Sequence, residues 1–162
     1  MRVFIGLGSN LENPEQQIKT AVNDMGSLSE SKLIACSSLY SSPPMGPQDQ
    51  PDYINAVIEL ETTLLPHVLL DELQNIEQQH GRVRKRHWGE RTLDLDILVY
   101  GDKLLNDKRL IVPHPGVAER AFVLYPLAEL ALDLVIPILG KVEPLLAHCP
   151  MGELRKLGAI KL

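Results

Sequence analysis

At 162 residues the chain is sized for one domain, 1–162, large enough to fold without a disulfide or structural metal. Its 44% hydrophobic and 23% charged residues suit an ordinary soluble globular protein, and its two cysteines, Cys36 and Cys149, form no Cys-x-x-Cys pair, which leaves a metal cluster unsupported and points to a reducing cytoplasmic setting. The net charge of -5 is uneven: Arg82, Arg84, Lys85, Arg86 and Arg91 stand against Glu90, a local +4 that leaves -9 elsewhere, so a compact anionic ligand fits better than a long nucleic acid.

The chain opens on Val3, Ile5 and Leu7 alternating with Phe4, Gly6 and Gly8, a strand pattern rather than a signal peptide. No stretch reaches the roughly 20 apolar residues of a membrane span. Asn13 is the expected N-cap of a first helix over 14–25, with Pro14 at its first position and Gln16 three residues after the cap. Ile18, Ala21, Val22 and Met25 form its apolar stripe, and Gly26 its stop. Leu33 to Tyr40 reads as a second strand. Ser41 to Asp52 holds Pro43, Pro44, Gly46, Pro47 and Pro51, so it reads as a long loop of the kind that is often functional.

Tyr53 to Glu61 resumes strand alternation, with Ile54, Ala56, Ile58 and Leu60 on one face and Tyr53, Asn55 and Val57 on the other. Pro66 opens a second helix with Leu69, Leu73 and Ile76 buried, and Gly81 ends it. Leu93 to Tyr100 is the fourth strand. The order β-α-β-β-α-β is the ferredoxin-like arrangement, an α+β sandwich with helices on one sheet face. Leu93, Leu95, Ile97 and Val99 are expected to face those helices. Asp94, Asp96, Tyr53, Asn55, Gly6 and Gly8 then share the other face, where the glycines leave room for a flat ligand. Beyond Gly101, Asn106-Asp107 reads as the turn of a small hairpin and Val112-Pro113-His114-Pro115 as an extended loop. Ala118 to Leu130, interrupted by Pro126, reads as two helical pieces, and the remainder as a C-terminal annex.

Asp94-Leu95-Asp96 is the central chemical signal. Residues two apart on a strand point the same way, so both carboxylates can hold one hard-cation site. Alone, the motif also fits a solvated strand face. Here it follows directly on an arginine cluster, and arginine matches phosphate geometry in bidentate fashion. The cluster by itself fits a solvated basic loop, and Trp88 a core residue or a base-stacking one. Asn55 is a polar amide among strand formers and must find partners if buried. Tyr53 and Phe122 fit core aromatics as well as ligand contacts, and His114 a turn residue.

The run His87-Trp88-Gly89-Glu90-Arg91-Thr92-Leu93-Asp94-Leu95-Asp96-Ile97-Leu98 resembles the signature of the 6-hydroxymethyl-7,8-dihydropterin pyrophosphokinases. Further matches are Gly6-Leu7-Gly8-Ser9-Asn10-Leu11, Pro43 through Ala56, Gln74 and Glu77, Gly81-Arg82-Val83-Arg84, Val112-Pro113-His114-Pro115, and Glu119-Arg120-Ala121-Phe122-Val123-Leu124. The resemblance implies a ferredoxin-like monomer that uses ATP and two Mg²⁺ ions, transfers the pyrophosphoryl group to a reduced hydroxymethylpterin and releases AMP. By position it implies that Asp94 and Asp96 ligate both metals and that Arg82 and Arg91 contact the phosphates, with Arg84 and Trp88 on a mobile loop. Gln74, Glu77, Arg109, His114 and Arg120 would line the ATP side, and backbone near Ile97 and Ile111 would read adenine. Asn55 would bond the pterin edge, Tyr53 and Phe122 would lie against its ring, and Ser42, Pro43, Pro44 and Met45 would close that pocket. The chain departs from the family pattern at Gly116, where an arginine is common, at Ala131-Leu132, and in a short stretch between Arg84 and Trp88.

A single-stranded RNA-binding module shares this order of elements and stacks bases on open-face aromatics. Only Tyr53 occupies such a place on the third strand, aromatics total 4%, and the charge outside the basic segment is negative. A small-molecule regulatory domain leaves Asp94 and Asp96 without a purpose.

Overall fold

The computed structural model describes residues 1–11, 13–44, 49–81 and 92–160. Its main elements are β1 (Arg2–Ser9), α1 (Pro14–Gly26), β2 (Ser31–Cys36), β3 (Ser38–Ser42), β4 (Tyr53–Thr62), α2 (Pro66–Gln79) and β5 (Asp94–Tyr100). A short hairpin follows, β6 (Leu105–Asn106) and β7 (Ile111–Val112), then α3 (Ala121–Ala131). The chain closes with β8 (Val135–Ile136), β9 (Gly140–Lys141), α4 (Val142–Ala147) and β10 (Arg155–Ala159). The main sheet is antiparallel in the order β10-β3-β4-β1-β5, with β2 also on β4. β1, the β2/β3 pair, β4 and β5, with α1 and α2, make the ferredoxin-like sandwich that the order of elements predicts.

The strand expected over 33–40 is in fact β2 and β3, broken at Ser37. The break keeps the ladder satisfied: Ser37 N–H donates to Val57 C=O at 2.8 Å, and Ser37 Oγ accepts the Val57 N–H at 2.9 Å. Pro14 does open α1, but the expected capping box is absent. Asn13 sits at φ 62 with no side-chain cap bond, and Gln16 instead donates to Thr20 Oγ1 at 3.3 Å. A left-handed residue turns its side chain away from the first helical turn. Gly81, at φ +69, ends the second helix segment as expected.

Two apolar layers flank the sheet. On one face α1 and α2 press Ile18, Ala21, Val22, Met25, Leu69, Leu73 and Ile76 onto Val3, Ile5, Leu7, Ala56, Ile58, Leu93, Leu95 and Ile97. On the other, α3 covers Phe4, Val57, Leu98 and Val99 with Val123, Leu124 and Leu127. Val99 was expected on the α1/α2 face. The ladder pairs Ile5 with Ile97 but Phe4 with Val99, so Leu98 is an extra residue in β5. That bulge reverses the alternation, sending Val99 to the α3 side and Tyr100 to the α1/α2 side.

The same bulge corrects the reading of Gly6. The Leu98 side chain lies over it, 3.3 Å from where a Cβ would stand, so Gly6 makes room for a core residue rather than a ligand. Pro126 does not divide the helix after residue 120. α3 is continuous because Val123, Leu124, Leu127 and Ala131 are all buried, and that packing outweighs one missing backbone donor. The C-terminal segment is also more than an annex, since β10 joins the main sheet through β3.

Candidate active site

The α3 face is only partly covered. α3 packs over Val57, Phe4, Leu98 and Val99, while at the other end of the sheet Gly8, Tyr53 and Asp94 are half-buried and Asp96 is exposed. Across this end the register sets Asp94 beside Gly8, Gly8 beside Asn55 and Asn55 beside Tyr40. Among the described residues Gly8 meets the edges of Asn55 Oδ1 and Tyr53 Cδ1, at 3.5 and 3.7 Å from an added Cβ. It is the floor between the carboxylates and the amide. Neighbouring strands lie about 4.8 Å apart, so Asp94 and Asn55 stand about 10 Å from each other.

Asn55 is 3% exposed, and its environment orients it. Nδ2 donates to Ser42 Oγ at 2.8 Å and lies 3.5 Å from the Tyr40 carbonyl, leaving Oδ1 on the Gly8 side as an acceptor. Ser42 is buried, and Pro43 and Pro44 follow it at the start of the long loop. Ser42 thus acts as the support of Asn55. Met45 lies outside the described residues.

At the other end of the row, Asp96 is exposed and Asp94 half-buried. Asp96, His114 and Arg120 lie close enough to influence one another's charge. Burial, assisted by the Arg120 cation, pushes the His114 imidazole below its ordinary range, against the pull of Asp96. His114 Nδ1 accepts the Gly116 N–H at 3.1 Å, so the neutral ring carries its proton on Nε2 and offers a donor there. The departure at Gly116 has a local reason. A Cβ there would stand 2.6 Å from Arg120 Nε and 2.8 Å from its Cδ, so the missing side chain is the space the Arg120 stem occupies. Arg120 also reaches over the Phe122 ring, 6.0 Å from its centroid.

The outer edge of β5 carries a third group. Glu77 on α2 is buried, and its Oε2 accepts the Leu95 N–H at 2.8 Å. His114 N–H donates to the Leu98 carbonyl at 2.9 Å. Between these two bonds the antiparallel alternation turns the backbone of Ile97 outward, while its side chain is core. Arg109 donates to Asp71 at 2.6 Å and to Gln74 at 3.2 Å, which brings Gln74 and Arg109 together at this edge. Asp107 holds the preceding turn through the backbone N–H groups of Arg109 and Leu110, which keep its carboxyl below the usual range. Ile111 is exposed on β7.

Arg82, Arg84, Trp88 and Arg91, and the expectation of a mobile loop over 82–91, lie outside the described residues. The ends of that segment are placed: Thr92 Oγ1 approaches the Gly81 carbonyl at 3.5 Å, two residues before Asp94. Ser9 and Asn10, quoted in the sequence without roles, tie both loops to β1. Ser9 Oγ donates to the Thr92 carbonyl at 2.5 Å, and buried Asn10 donates to Gln50 and to the Pro51 carbonyl at 3.0 and 2.9 Å. Their signal was polar residues ending a buried strand. Two shallow clefts between α1 and α2, near Asp24 and Glu72 and near His80, lie on the covered side and contain none of the candidate residues.

Residues 4–132 match the family described as 7,8-dihydro-6-hydroxymethylpterin-pyrophosphokinase (HPPK). The chain is 51% identical over 156 residues to a 2-amino-4-hydroxy-6-hydroxymethyldihydropteridine pyrophosphokinase of Pseudomonas aeruginosa, covering 96% of each. It is 54% identical over 134 residues to the Haemophilus influenzae protein of the same name, covering 83% of this chain and 84% of that one. Among solved structures it resembles wild-type Plasmodium falciparum HPPK-DHPS with STZ-DHP, at a TM-score of 0.72 and 14% identity, over 91% of this chain and 43% of that one. The complex of the wild-type Plasmodium protein with pteroate gives a TM-score of 0.72 at 13% identity, over 91% of this chain and 42% of that one. The chain thus spans less than half of those solved proteins, and at such low identity they bear on the fold alone. The sequence match over most of its length places this chain in the 7,8-dihydro-6-hydroxymethylpterin-pyrophosphokinase family.

Proposed function

We propose that the row Asp94–Gly8–Asn55 is where this pyrophosphokinase joins its two substrates. The enzyme transfers the pyrophosphoryl group of ATP to 6-hydroxymethyl-7,8-dihydropterin, a step of folate biosynthesis. Moving the β- and γ-phosphates together leaves AMP. The observation that carries the site assignment is the glycine floor with an oriented amide on one side and paired carboxylates on the other. A flat bicyclic ring laid across Gly8, with its amide-like edge on Asn55 Oδ1, turns its hydroxymethyl end toward Asp94 and Asp96. Tyr53 and Phe122 supply apolar surface to the ring, and Ser42, Pro43, Pro44 and Met45 close the pocket.

The donor set fits Mg²⁺. Asp94 and Asp96 are two hard oxygen donors on one strand face, and the described residues contain no group of three or more His, Cys, Asp or Glu that could form a complete protein cage. Such a site takes its remaining ligands from phosphate and water, which is Mg²⁺ rather than Zn²⁺ behaviour. In our reading two Mg²⁺ ions are held there, and when bound they offset phosphate charge and polarise the incoming hydroxyl. The rest of the work belongs to the chain. His114 Nε2–H and Arg120 face phosphate oxygens beside Asp96; Arg82 and Arg91 balance charge as it shifts to the leaving group; and Arg84 and Trp88 complete the cover. The adenine end lies along the outer edge of β5, at the Ile97 backbone, Ile111, Gln74 and Arg109. Glu77 serves this edge by holding Leu95 in place.

We further propose that residues 1–162 act as one domain, as a monomer in the cytoplasm, without nucleic acid. No described helix is long and apolar enough to cross a membrane. The test of the reaction is incubation with ATP, Mg²⁺ and reduced hydroxymethylpterin, followed by chromatography of the nucleotides. Stoichiometric AMP is expected, and ADP would overturn the assignment.

A further inference from the structure

The carboxylate of Glu129 lies outside the row just described, yet donors converge on it from two strands. Ser38 N–H approaches its oxygens at 3.1 and 3.0 Å, Ser38 Oγ at 3.0 Å and the Tyr40 hydroxyl at 2.7 Å, with Lys156 Nζ at 3.9 Å. Ser38 and Tyr40 are almost fully buried on β3, Lys156 stands on β10, and Glu129 itself is near the end of α3. Burial first, then the bond to Glu129, push the Tyr40 hydroxyl well above its ordinary range, so it stays a donor. The backbone N–H and the ammonium can only donate. A carboxylate satisfies this set, whereas an amide of the same size would turn its own N–H toward other donors.

β3 needs such a tie. It pairs with β4 through only Tyr40, Ser41 and Ser42, and with β10 across a register shift. Ser38, Tyr40 and Ser42 alternate onto one face. The last of them is the Ser42 that accepts the Asn55 amide at 2.8 Å, and the Tyr40 carbonyl is the second acceptor near that amide. At its other end α3 carries Phe122. Glu129 therefore fastens the helix bearing the aromatic contact to the strand that orients the amide.

We propose that Glu129 is a positioning residue for the pterin substrate, fixing Asn55 through Ser38, Tyr40 and Ser42 while touching no substrate itself. The inference rests on the reading of Asn55 as the pterin contact, and the test separates the two. Glu129→Gln, Tyr40→Phe and Asn55→Ala are compared with the unaltered enzyme for KM of pterin, KM of ATP and thermal unfolding. Glu129→Gln is expected to raise the pterin KM about tenfold, one hydrogen-bonded group's worth of binding, with the ATP KM within about twofold. Tyr40→Phe is expected to act in the same direction by about threefold, since it removes one bond of the set. Loss of stability alone would reduce the active fraction and leave both KM values in place. A pterin KM unmoved in Glu129→Gln, or equal rises for both substrates, overturns the proposal when Asn55→Ala does weaken pterin binding. An Asn55→Ala variant with unchanged pterin KM overturns the underlying site reading, and this inference with it. Should Glu129→Gln not fold, Tyr40→Phe decides alone, and an unchanged pterin KM in that variant counts against the proposal.

Discussion

The two faces of the sheet are built from the same strands and do opposite work. Toward α1 and α2 the contacts are almost wholly apolar, from Val3 and Ile5 through Leu69 and Leu73, with Glu77 the buried charge, bound to the Leu95 backbone. Toward α3 the apolar layer of Phe4, Val57, Leu98 and Val99 gives way to the row Asp94, Gly8 and Asn55, with Tyr40 next to it bonded to Glu129 of α3. Alternation along a strand makes this division possible without separate elements: Leu95 and Ile97 anchor the very strand that displays Asp94 and Asp96. Rigidity on the closed face holds the polar groups of the open face in register, so chemistry and stability should separate under mutation.

The sharpest separation is expected at the carboxylates. Asp94→Ala and Asp96→Ala should each lower kcat by about 10³-fold, the scale of losing a main charge-stabilising contact, while far-UV circular dichroism and the unfolding midpoint stay near those of the unaltered protein. Near-normal turnover in both would remove the metal assignment. The reverse result is expected at Leu69, which is fully buried on the closed face. Leu69→Ala should cost about 3 kcal/mol in denaturant unfolding by opening a cavity, with KM values of the folded fraction retained. If pterin KM rose selectively instead, the faces would not be independent.

Asn55→Ala tests the open row at its amide end. Losing a hydrogen bond in a dry pocket should weaken pterin binding by about 1–3 kcal/mol by calorimetry and leave ATP-analogue binding nearly unchanged. A matching loss for both ligands would place Asn55 in the general support of the fold. The smallest effect is expected at the floor. Among the described residues a Cβ on Gly8 meets Asn55 Oδ1 and Tyr53 Cδ1 at ordinary contact distances, so Gly8→Ala should fold normally. The added methyl would occupy ligand space and reduce pterin affinity by about 1 kcal/mol. Unchanged affinity would move the ring away from this strand.

Particular residues show how far the sequence could be read. Tyr53, Asn55 and Val57 were placed correctly opposite Ile54, Ala56 and Ile58, because a period of two over a long strand leaves no alternative. Pro14, Pro66 and Gly81 marked helix ends for reasons internal to their own backbones. Val99 was misplaced, and Gly6, though on the expected face, is filled by a core side chain, for one shared reason, the extra residue Leu98, which no local propensity announces. Asn13 takes the N-cap position but makes no side-chain cap bond, because its backbone is left-handed at φ 62, a conformation that spacing along the chain does not reveal. The reach of Glu77 to Leu95, and of Asn10 to Gln50 and Pro51, joins residues far apart in the chain and could not be read from spacing.

By itself, then, the sequence determined the order of elements, the shared face of Asp94, Asp96 and Asn55, and the resemblance that named the reaction. Those follow from periodicity and from motifs a few residues long. Tertiary structure alone decided that Leu98 covers Gly6 while Asn55 and Tyr53 border Gly8, that Gly116 yields its space to Arg120, and that Glu129 ties α3 to β3. Each depends on which side chains meet across elements, and such meetings are fixed by packing and ladder register, not by any local stretch of chain.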